Sequence, residues 1–183
     1  MDKAGLTSYL EKIDRELKSP TVLCVYGSGA LILMDEPGRT SLDLDIASPY
    51  SIADYTDLEQ AAKSAGLPLN PPEDYQGDHI EWIPALRLCL SAPDPLSMTT
   101  LWRGRNLTLT TVSPAQLVAS KLIRYDEIDQ ADILFLCTQA RVTHVAVEAA
   151  VRKLPPPFDT DSLVLENLAN LKVDLKQWEG GDP

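Results

Sequence analysis

The sequence predicts an α+β fold, in which a small mixed β-sheet has flanking helices and is followed by a helical C-terminal half. Short apolar or alternating segments, which are typical of strands, are concentrated between about residues 20 and 112. From about residue 113 to 176 the apolar residues instead recur at helical spacing. No internal repeat and no linker divides the 183 residues, so we expect one domain over residues 1–183.

Composition excludes several classes of function. The formal net charge is −11, and a protein that grips DNA through its phosphates needs a basic surface, so broad DNA binding is not expected. The three cysteines lie far apart in the sequence, which predicts buried reduced thiols. No signal-peptide pattern and no apolar run of about 20 residues occurs, which predicts a cytoplasmic protein with no membrane partner.

The first elements can be assigned from hydrophobic spacing. Residues 5–18 have the pattern of an amphipathic helix, and residues 22–26 form a continuous apolar strand that ends at Gly27. A short helix is expected over residues 30–34. Residues 41–47 alternate with a period of two, which predicts a second strand.

The remaining elements follow from the same rules. A helix is predicted over 54–66, a loop over 67–77, one or two strands over 79–91 around Pro84, and a clear strand over 106–112. Ser113-Pro114 provides an N-cap followed by proline at the first helical position. Helices are then predicted over residues 114–125, 128–139, 143–154 and 161–172.

Two aspartates on the second predicted strand are candidate metal ligands. Asp43 and Asp45 point to the same face, about 7 Å apart at their Cα atoms, while the leucines between and beside them point to the other. Carboxylates this close repel unless a cation lies between them, and Mg²⁺ prefers oxygen ligands. The alternative is a solvent-facing strand with ordinary acidic residues, although aspartate is depleted in strands.

The turn Gly27-Ser28-Gly29 is a candidate phosphate-binding segment. It lies between a strand and a helix, where backbone N–H groups attract anions and glycine permits close approach. The dinucleotide fingerprint would need glycine where Ile32 stands, and the P-loop would need Gly-Lys-Ser/Thr, so neither motif is present. An ordinary strand-to-helix turn is the alternative interpretation.

Two sequence blocks together resemble a known superfamily. Gly27-Ser28, followed by Arg39-Thr40-Ser41-Leu42-Asp43-Leu44-Asp45, resembles the first motif of the polymerase β-like nucleotidyltransferases, and especially the Arg-x-Thr-x-Asp-x-Asp of AbiEii-type, minimal nucleotidyltransferases of toxin–antitoxin systems. The segments 112–124 and 129–133 are similar to the downstream region of those families, where a Ser-Pro helix start precedes a lysine and an Asp-x-x-Asp. The resemblance covers about residues 20–140.

The resemblance implies a nucleotidyltransferase-type sheet and a Mg²⁺-dependent transfer of a nucleotide from an NTP to a hydroxyl acceptor. The acceptor would be an RNA 3′ end or a protein side chain, and a toxin-type enzyme with a cognate antitoxin is one setting. Gly27 and Ser28 would hold the nucleotide phosphates, and Asp43 and Asp45 would hold the metal. Lys121 would contact the triphosphate.

Arg39 is a further candidate for phosphate contact, and the alternative is an ordinary arginine in a loop. Related enzymes commonly use a third carboxylate on a later strand, for which Glu81 and Asp94 are candidates. Without that carboxylate, the alternative function is a catalytically degenerate member that binds a nucleotide or a protein partner. A third interpretation is an interaction protein whose Asp-x-Asp is merely solvated.

Lys121 and Asp132 also lie on the apolar faces of their predicted helices. In one straight helix they would be about 16 Å apart, so they meet only if the chain bends near Asp126. The alternatives to a role at the site are a snorkelling lysine and a structural ion pair.

Overall fold

The fold was analysed in a computed structural model, which describes residues 1–180. The chain separates into two compact units: the first is residues 1–88 with 93–112, and the second is residues 89–92 with the chain from Ser113 onward. The expected α+β class, with a small mixed sheet and a helical C-terminal half, is confirmed. None of the helices in residues 1–180 has both the length and the apolar composition needed to span a bilayer.

The first unit contains all the strands described. In chain order its elements are α1 (Lys3–Glu16), β1 (Thr21–Cys24), α2 (Gly27–Leu33), β2 (Asp43–Ala47), α3 (Tyr55–Ala65), β3 (His79–Ile83), β4 (Thr99–Arg103) and β5 (Leu107–Thr111). Asp2 and Asp54 cap α1 and α3, because each side chain accepts a hydrogen bond from a backbone N–H of the first turn. Gly66, with a φ of 85°, ends α3 in the left-handed conformation.

The strands form two ladders. β1 pairs in parallel with β5, and β5 pairs antiparallel with β4, while β2 pairs in parallel with β3. Val25 and Ile46 form an antiparallel bridge, and the N–H of Tyr26 donates to the C=O of Asp45 at 3.1 Å. The chain leaving β1 therefore runs beside β2, which brings the two halves of the sequence motif together.

The alternation predicted for β2 is confirmed. Leu44 and Ile46 are fully buried, and Ile80 of β3 is buried beside them. Asp43 and Asp45 occupy the other face and remain partly exposed. Burial of the apolar face fixes which way the two carboxylates point.

Of the one or two strands predicted over residues 79–91, the structure has one, β3. β3 ends before Pro84, residues 85–87 form a single 3₁₀ turn, and residues 88–91 are not a strand. Proline has no N–H to donate to a ladder, so the strand stops there. Strand β4 was not predicted, although its threonines and tryptophan are typical strand residues.

The second unit contains α4 (Pro114–Lys121), α5 (Glu127–Ala140), α6 (His144–Val151) and α7 (Ser162–Gly180). Ser113 and Gln116 form a capping box at the start of α4, as the N-cap prediction required. The helix ends at Lys121 and not near residue 125, because the chain turns and Tyr125 adopts a left-handed φ of 57°. Helix α7 extends beyond the predicted residue 172.

Candidate functional site

The centre of the candidate site is the contact between the Gly27 turn and Asp45. Gly27 begins α2 with a φ of 62°, a conformation that favours glycine. A Cβ at this position would overlap Oδ2 of Asp45. A Cβ at Gly29 would come within 2.5 Å of a methyl group of Leu44. The two glycines are therefore required by the packing of α2 on β2, which holds the Asp45 carboxylate against the turn.

Arg39 lies at the same turn. Its Nη2 donates a hydrogen bond to Oγ of Ser28 at 2.5 Å, and its Nε is 3.8 Å from Oε2 of Glu36. The Arg39 and Glu36 side chains are only 19% and 11% exposed. The Glu36 carboxylate therefore helps to hold the Arg39 guanidinium beside Ser28, which is a predicted phosphate-binding residue.

The serine of the motif also has a defined contact. Oγ of Ser41 donates to Oδ1 of Asp43, two residues along the chain. This hydrogen bond orients the side chain of Asp43, which is the first residue of β2. In the Arg-x-Ser-x-Asp-x-Asp segment, the arginine therefore contacts the Gly-Ser turn and the serine contacts the acidic pair.

Glu81 shares the acidic face, and Asp94 does not. The register of β2 with β3 pairs Asp45 with Glu81 and Asp43 with His79. Paired residues of adjacent strands point to the same face of the sheet. Asp94 instead lies in a loop after β3, where its carboxylate accepts from the N–H of Leu96 at 3.0 Å.

Glu81 has a neighbour that the sequence analysis did not place at the site. Nε2 of His79 is 3.7 Å from Oε1 of Glu81, whose side chain is 37% exposed. Nδ1 of His79 is 2.9 Å from the C=O of Gly77, so this nitrogen carries the proton and donates it. The spacing of His79 and Glu81, two apart on a strand, was the available signal.

The donor chemistry of this face fits Mg²⁺. Carboxylate oxygens from Asp43 and Asp45 are the ligands that Mg²⁺ takes, and it is usually bound by one or two carboxylates with substrate phosphates and water. In the part of the chain that the structure describes, no three Asp, Glu, His or Cys side chains are grouped so as to hold a metal by themselves. Binding of Mg²⁺ here stays a prediction, which depends on the two aspartates.

Lys121 and Asp132 form a buried ion pair in the second unit. Nζ of Lys121, a side chain only 8% exposed, is 2.5 Å from Oδ2 of Asp132 and 3.2 Å from Oδ1 of Asp129. Arg124 adds a two-pronged contact to Asp129, at 2.8 and 2.9 Å. The chain does bend near Asp126, and Lys121 and Asp132 meet as the structural ion pair that was one of the alternatives, whereas contact of Lys121 with a triphosphate stays a prediction.

Comparison of the chain with protein-family models, with curated protein sequences and with solved structures finds no match. The interpretation of the site therefore depends on its own geometry and on the sequence motif that it contains.

A cavity of about 670 Å³ opens beside Glu81. Its lining includes His79, Trp82, Tyr75 and Arg87. Its volume lies in the range of about 300–1,000 Å³ that is usual for small-molecule sites. A molecule in this cavity would lie next to the third candidate carboxylate.

The three cysteines provide no nucleophile. Burial raises the pKa of the Cys24 and Cys137 thiols to about 11, and burial together with the charge of Asp161 raises that of Cys89 to about 12. These thiols stay protonated near neutral pH, and the thiolate is the reactive form. The expectation of buried free thiols is confirmed for Cys24 and Cys89, and Cys137 is partly exposed.

Proposed function

We propose that this protein is a nucleotidyltransferase that moves a nucleotide from a Mg²⁺-bound NTP to a hydroxyl acceptor. One observation carries the proposal: the carboxylate of Asp45 lies against Gly27, and Arg39 contacts Ser28 in the same turn. The acidic pair and the candidate phosphate-binding turn are thereby adjacent, although Ser28 and Asp43 are 15 positions apart in the sequence. A metal–triphosphate complex needs both in one place.

Each residue has a role that matches its position. Asp43 and Asp45 would hold Mg²⁺, which when bound neutralises negative charge on the triphosphate. The backbone and hydroxyl of Gly27-Ser28 would bind phosphate oxygens, and Arg39 would pair with them through its planar fork of donors. Most of the rate enhancement would then come from positioning and electrostatic stabilisation.

Glu81 would accept the proton of the attacking hydroxyl while the oxygen of that hydroxyl bonds to the α-phosphorus of the NTP and pyrophosphate leaves. Glu81 is in register with Asp45, and the 670 Å³ cavity beside it offers space for the acceptor. An RNA 3′ end or a hydroxyl side chain of a protein would serve as acceptor, and an enzyme of this kind would act in the cytoplasm, where NTPs are abundant. The toxin–antitoxin setting, and a triphosphate contact by Lys121, are supported only by the resemblance of the motifs.

A nucleotide-binding protein without catalysis is the second candidate. The observation that favours it is that, among the described residues, no three Asp, Glu, His or Cys side chains are grouped so as to hold a metal, so Glu81 does not complete a shared metal site with Asp43 and Asp45. Both candidate functions use the same NTP site, and they differ in whether Glu81 accepts a proton from an attacking hydroxyl.

Titration calorimetry of each NTP with Mg²⁺ tests the shared site. We expect micromolar binding to the native protein and its loss in the variant Asp43→Asn/Asp45→Asn. The control Glu11→Gln/Glu16→Gln removes the same number of charges from exposed positions of α1, and it should bind as the native protein does. Failure of the native protein to bind any NTP, or unchanged binding in the Asp43/Asp45 variant, would contradict the proposal.

Transfer from a labelled NTP separates the two candidates. Glu81→Gln should keep NTP binding and lower transfer to acceptor RNA or protein by at least about 10²-fold, the usual contribution of a general base. Glu73→Gln is the matched control, because Glu73 lines the same cavity from an exposed loop. A native protein that binds NTP and transfers nothing to either acceptor is the non-catalytic candidate.

A further inference from the structure

A second cavity, of about 510 Å³, lies within the second unit and takes no part in the proposed reaction. It is formed by the C-terminal end of α5, the start of α6 and the last turns of α7, and we call it the α5–α7 cavity. Its apolar walls are Leu134, Cys137, Val142, Leu175 and Trp178. Its volume also falls in the range of small-molecule sites.

The cavity arises from the way in which α5 ends. The buried side of α5 carries Ile133 and Leu136, whereas Leu134 is 39% exposed at the cavity. Arg141 then adopts a left-handed φ of 51°, which ends the helix, and a three-residue link leads into α6. This link is too short to cover the apolar surface of α5, so that surface stays open to a ligand, whose burial there would be favourable.

The charges around the cavity are all positive among the described lining residues. Arg141, Lys172 and Lys176 contribute to its lining, and no aspartate or glutamate is among the described residues that do so. This is notable in a chain with 27 acidic and 16 basic residues. Lys172 and Lys176 are one helical turn apart, where like charges repel each other. None of these three cations has an ion pair within the described residues.

We propose that the α5–α7 cavity binds a small amphipathic anion, namely a monocarboxylate with a medium-length apolar body. The carboxylate would pair with Arg141, Lys172 and Lys176, and the apolar body would lie against Leu175 and Trp178. A neutral ligand would leave the three like charges uncompensated. A cationic ligand would add to their repulsion.

Titration calorimetry of the whole chain with octanoate, 1-octanol and octyltrimethylammonium tests the charge requirement. We expect octanoate to bind saturably at one site, and to bind at least about tenfold more tightly than 1-octanol, because several cations contribute to the carboxylate contact. The octyltrimethylammonium ion should not bind. Absence of saturable octanoate binding, or equal affinity for 1-octanol, would overturn the proposal.

Variants of the lining test the location. Arg141→Gln/Lys172→Gln/Lys176→Gln should weaken octanoate binding at least about tenfold, and Lys176→Gln alone by about threefold, since one exposed ion pair contributes modestly. Lys153→Gln, an exposed cation of the same unit outside the cavity, is the matched control and should change the affinity by less than about twofold. Circular dichroism would establish that each variant is folded. Equal affinities for Lys176→Gln, Lys153→Gln and the native protein would place the ligand elsewhere and overturn the assignment.

Discussion

At the scale of single residues, Gly27 and Gly38 allow backbone strain to be separated from a side-chain contact. Their φ values are 62° and 71°, so any other residue would be strained at either position. A Cβ on Gly38 would meet nothing within 4 Å, whereas one on Gly27 would overlap the Asp45 carboxylate. Gly27 is therefore needed both for its conformation and for the position of Asp45.

The substitution Gly27→Ala should destabilise the fold more than Gly38→Ala does. The strain of a left-handed φ alone should lower the free energy of unfolding by about 1–2 kcal/mol in Gly38→Ala. Displacement of Asp45 should add about 1–3 kcal/mol for Gly27→Ala, in the range of overpacked sites, and should also weaken Mg²⁺–NTP binding. Urea unfolding and calorimetry measure the two effects. Equal free energies for the two variants would mean that the Asp45 contact adds nothing.

The buried contacts of Lys121 with Asp129 and Asp132 predict a strong coupling between these charges. Lys121→Met would leave Asp129 and Asp132 buried without the ammonium, which should cost about 3–5 kcal/mol of unfolding free energy. The double variant Lys121→Met/Asp132→Asn should be less destabilised than the sum of the two single variants, because it removes opposite charges together. Lys153→Met, at an exposed position, is the control and should change stability by less than about 0.5 kcal/mol. If the two single substitutions lower the free energy of unfolding additively, Lys121 and Asp132 are not coupled.

At the scale of elements, one aspartate joins α1 to the turn between β4 and β5. The carboxylate of Asp14 accepts hydrogen bonds from the backbone N–H groups of Arg105, Asn106 and Leu107, at 3.0, 2.7 and 2.7 Å. A Cβ on Gly104 would overlap the same carboxylate, so glycine is required in this turn. The segment following β4, which is locally basic, therefore has a structural role in the first unit.

The pKa of Asp14 predicts a pH dependence of stability. Partial burial acts to raise it, but the three backbone donors outweigh burial and hold the pKa below its ordinary value of 3.8. Because the folded-state pKa is lower than the unfolded one, the stabilisation is present above about pH 4 and is lost as the pH falls through the folded-state pKa.

The variant Asp14→Asn should be less stable than the native protein at neutral pH, and the difference should shrink below about pH 4. Urea unfolding as a function of pH measures it. Glu16→Gln, at an exposed position of α1, is the control and should parallel the native protein across the pH range. A stability difference for Asp14→Asn that is the same at pH 7 and at low pH would contradict the assignment.

At the scale of the whole molecule, the net charge of −11 implies self-repulsion that salt and bound cations relieve. NaCl should raise the melting temperature by screening. MgCl₂ at equal ionic strength should raise it further, because a ligand that binds the folded state at about ten times its Kd adds roughly 1.4 kcal/mol, or a few degrees. Differential scanning calorimetry compares the two salts.

The extra effect of Mg²⁺ should disappear in Asp43→Asn/Asp45→Asn and persist in Glu11→Gln/Glu16→Gln. Both variants have a net charge of −9, since each removes two carboxylates from a chain of net charge −11. General charge effects are therefore matched between them. The same Mg²⁺ increment in both variants would mean that the ion does not bind at the acidic pair.

Local patterns in the sequence are sufficient to predict several elements of this protein and one face of its candidate site. The period-two alternation of residues 41–47 predicted β2 and the common face of Asp43 and Asp45, because neighbouring side chains on any strand point to opposite faces. The Ser113-Pro114 start of α4 follows from hydrogen bonding within one turn of helix. These features depend on residues a few positions apart, so the sequence alone was sufficient to predict them.

Which distant groups lie together depends on contacts that form only in the folded chain. The pairing of Asp45 with Glu81 depends on the register of β2 with β3, and the partners of Lys121 depend on the bend between α4 and α5. β4 has residue types that are typical of strands but no clear alternation of polar and apolar residues, and its pairing with β5 stabilises it. Register and packing are set by contacts between residues far apart in the chain, and such contacts leave no local periodicity to detect.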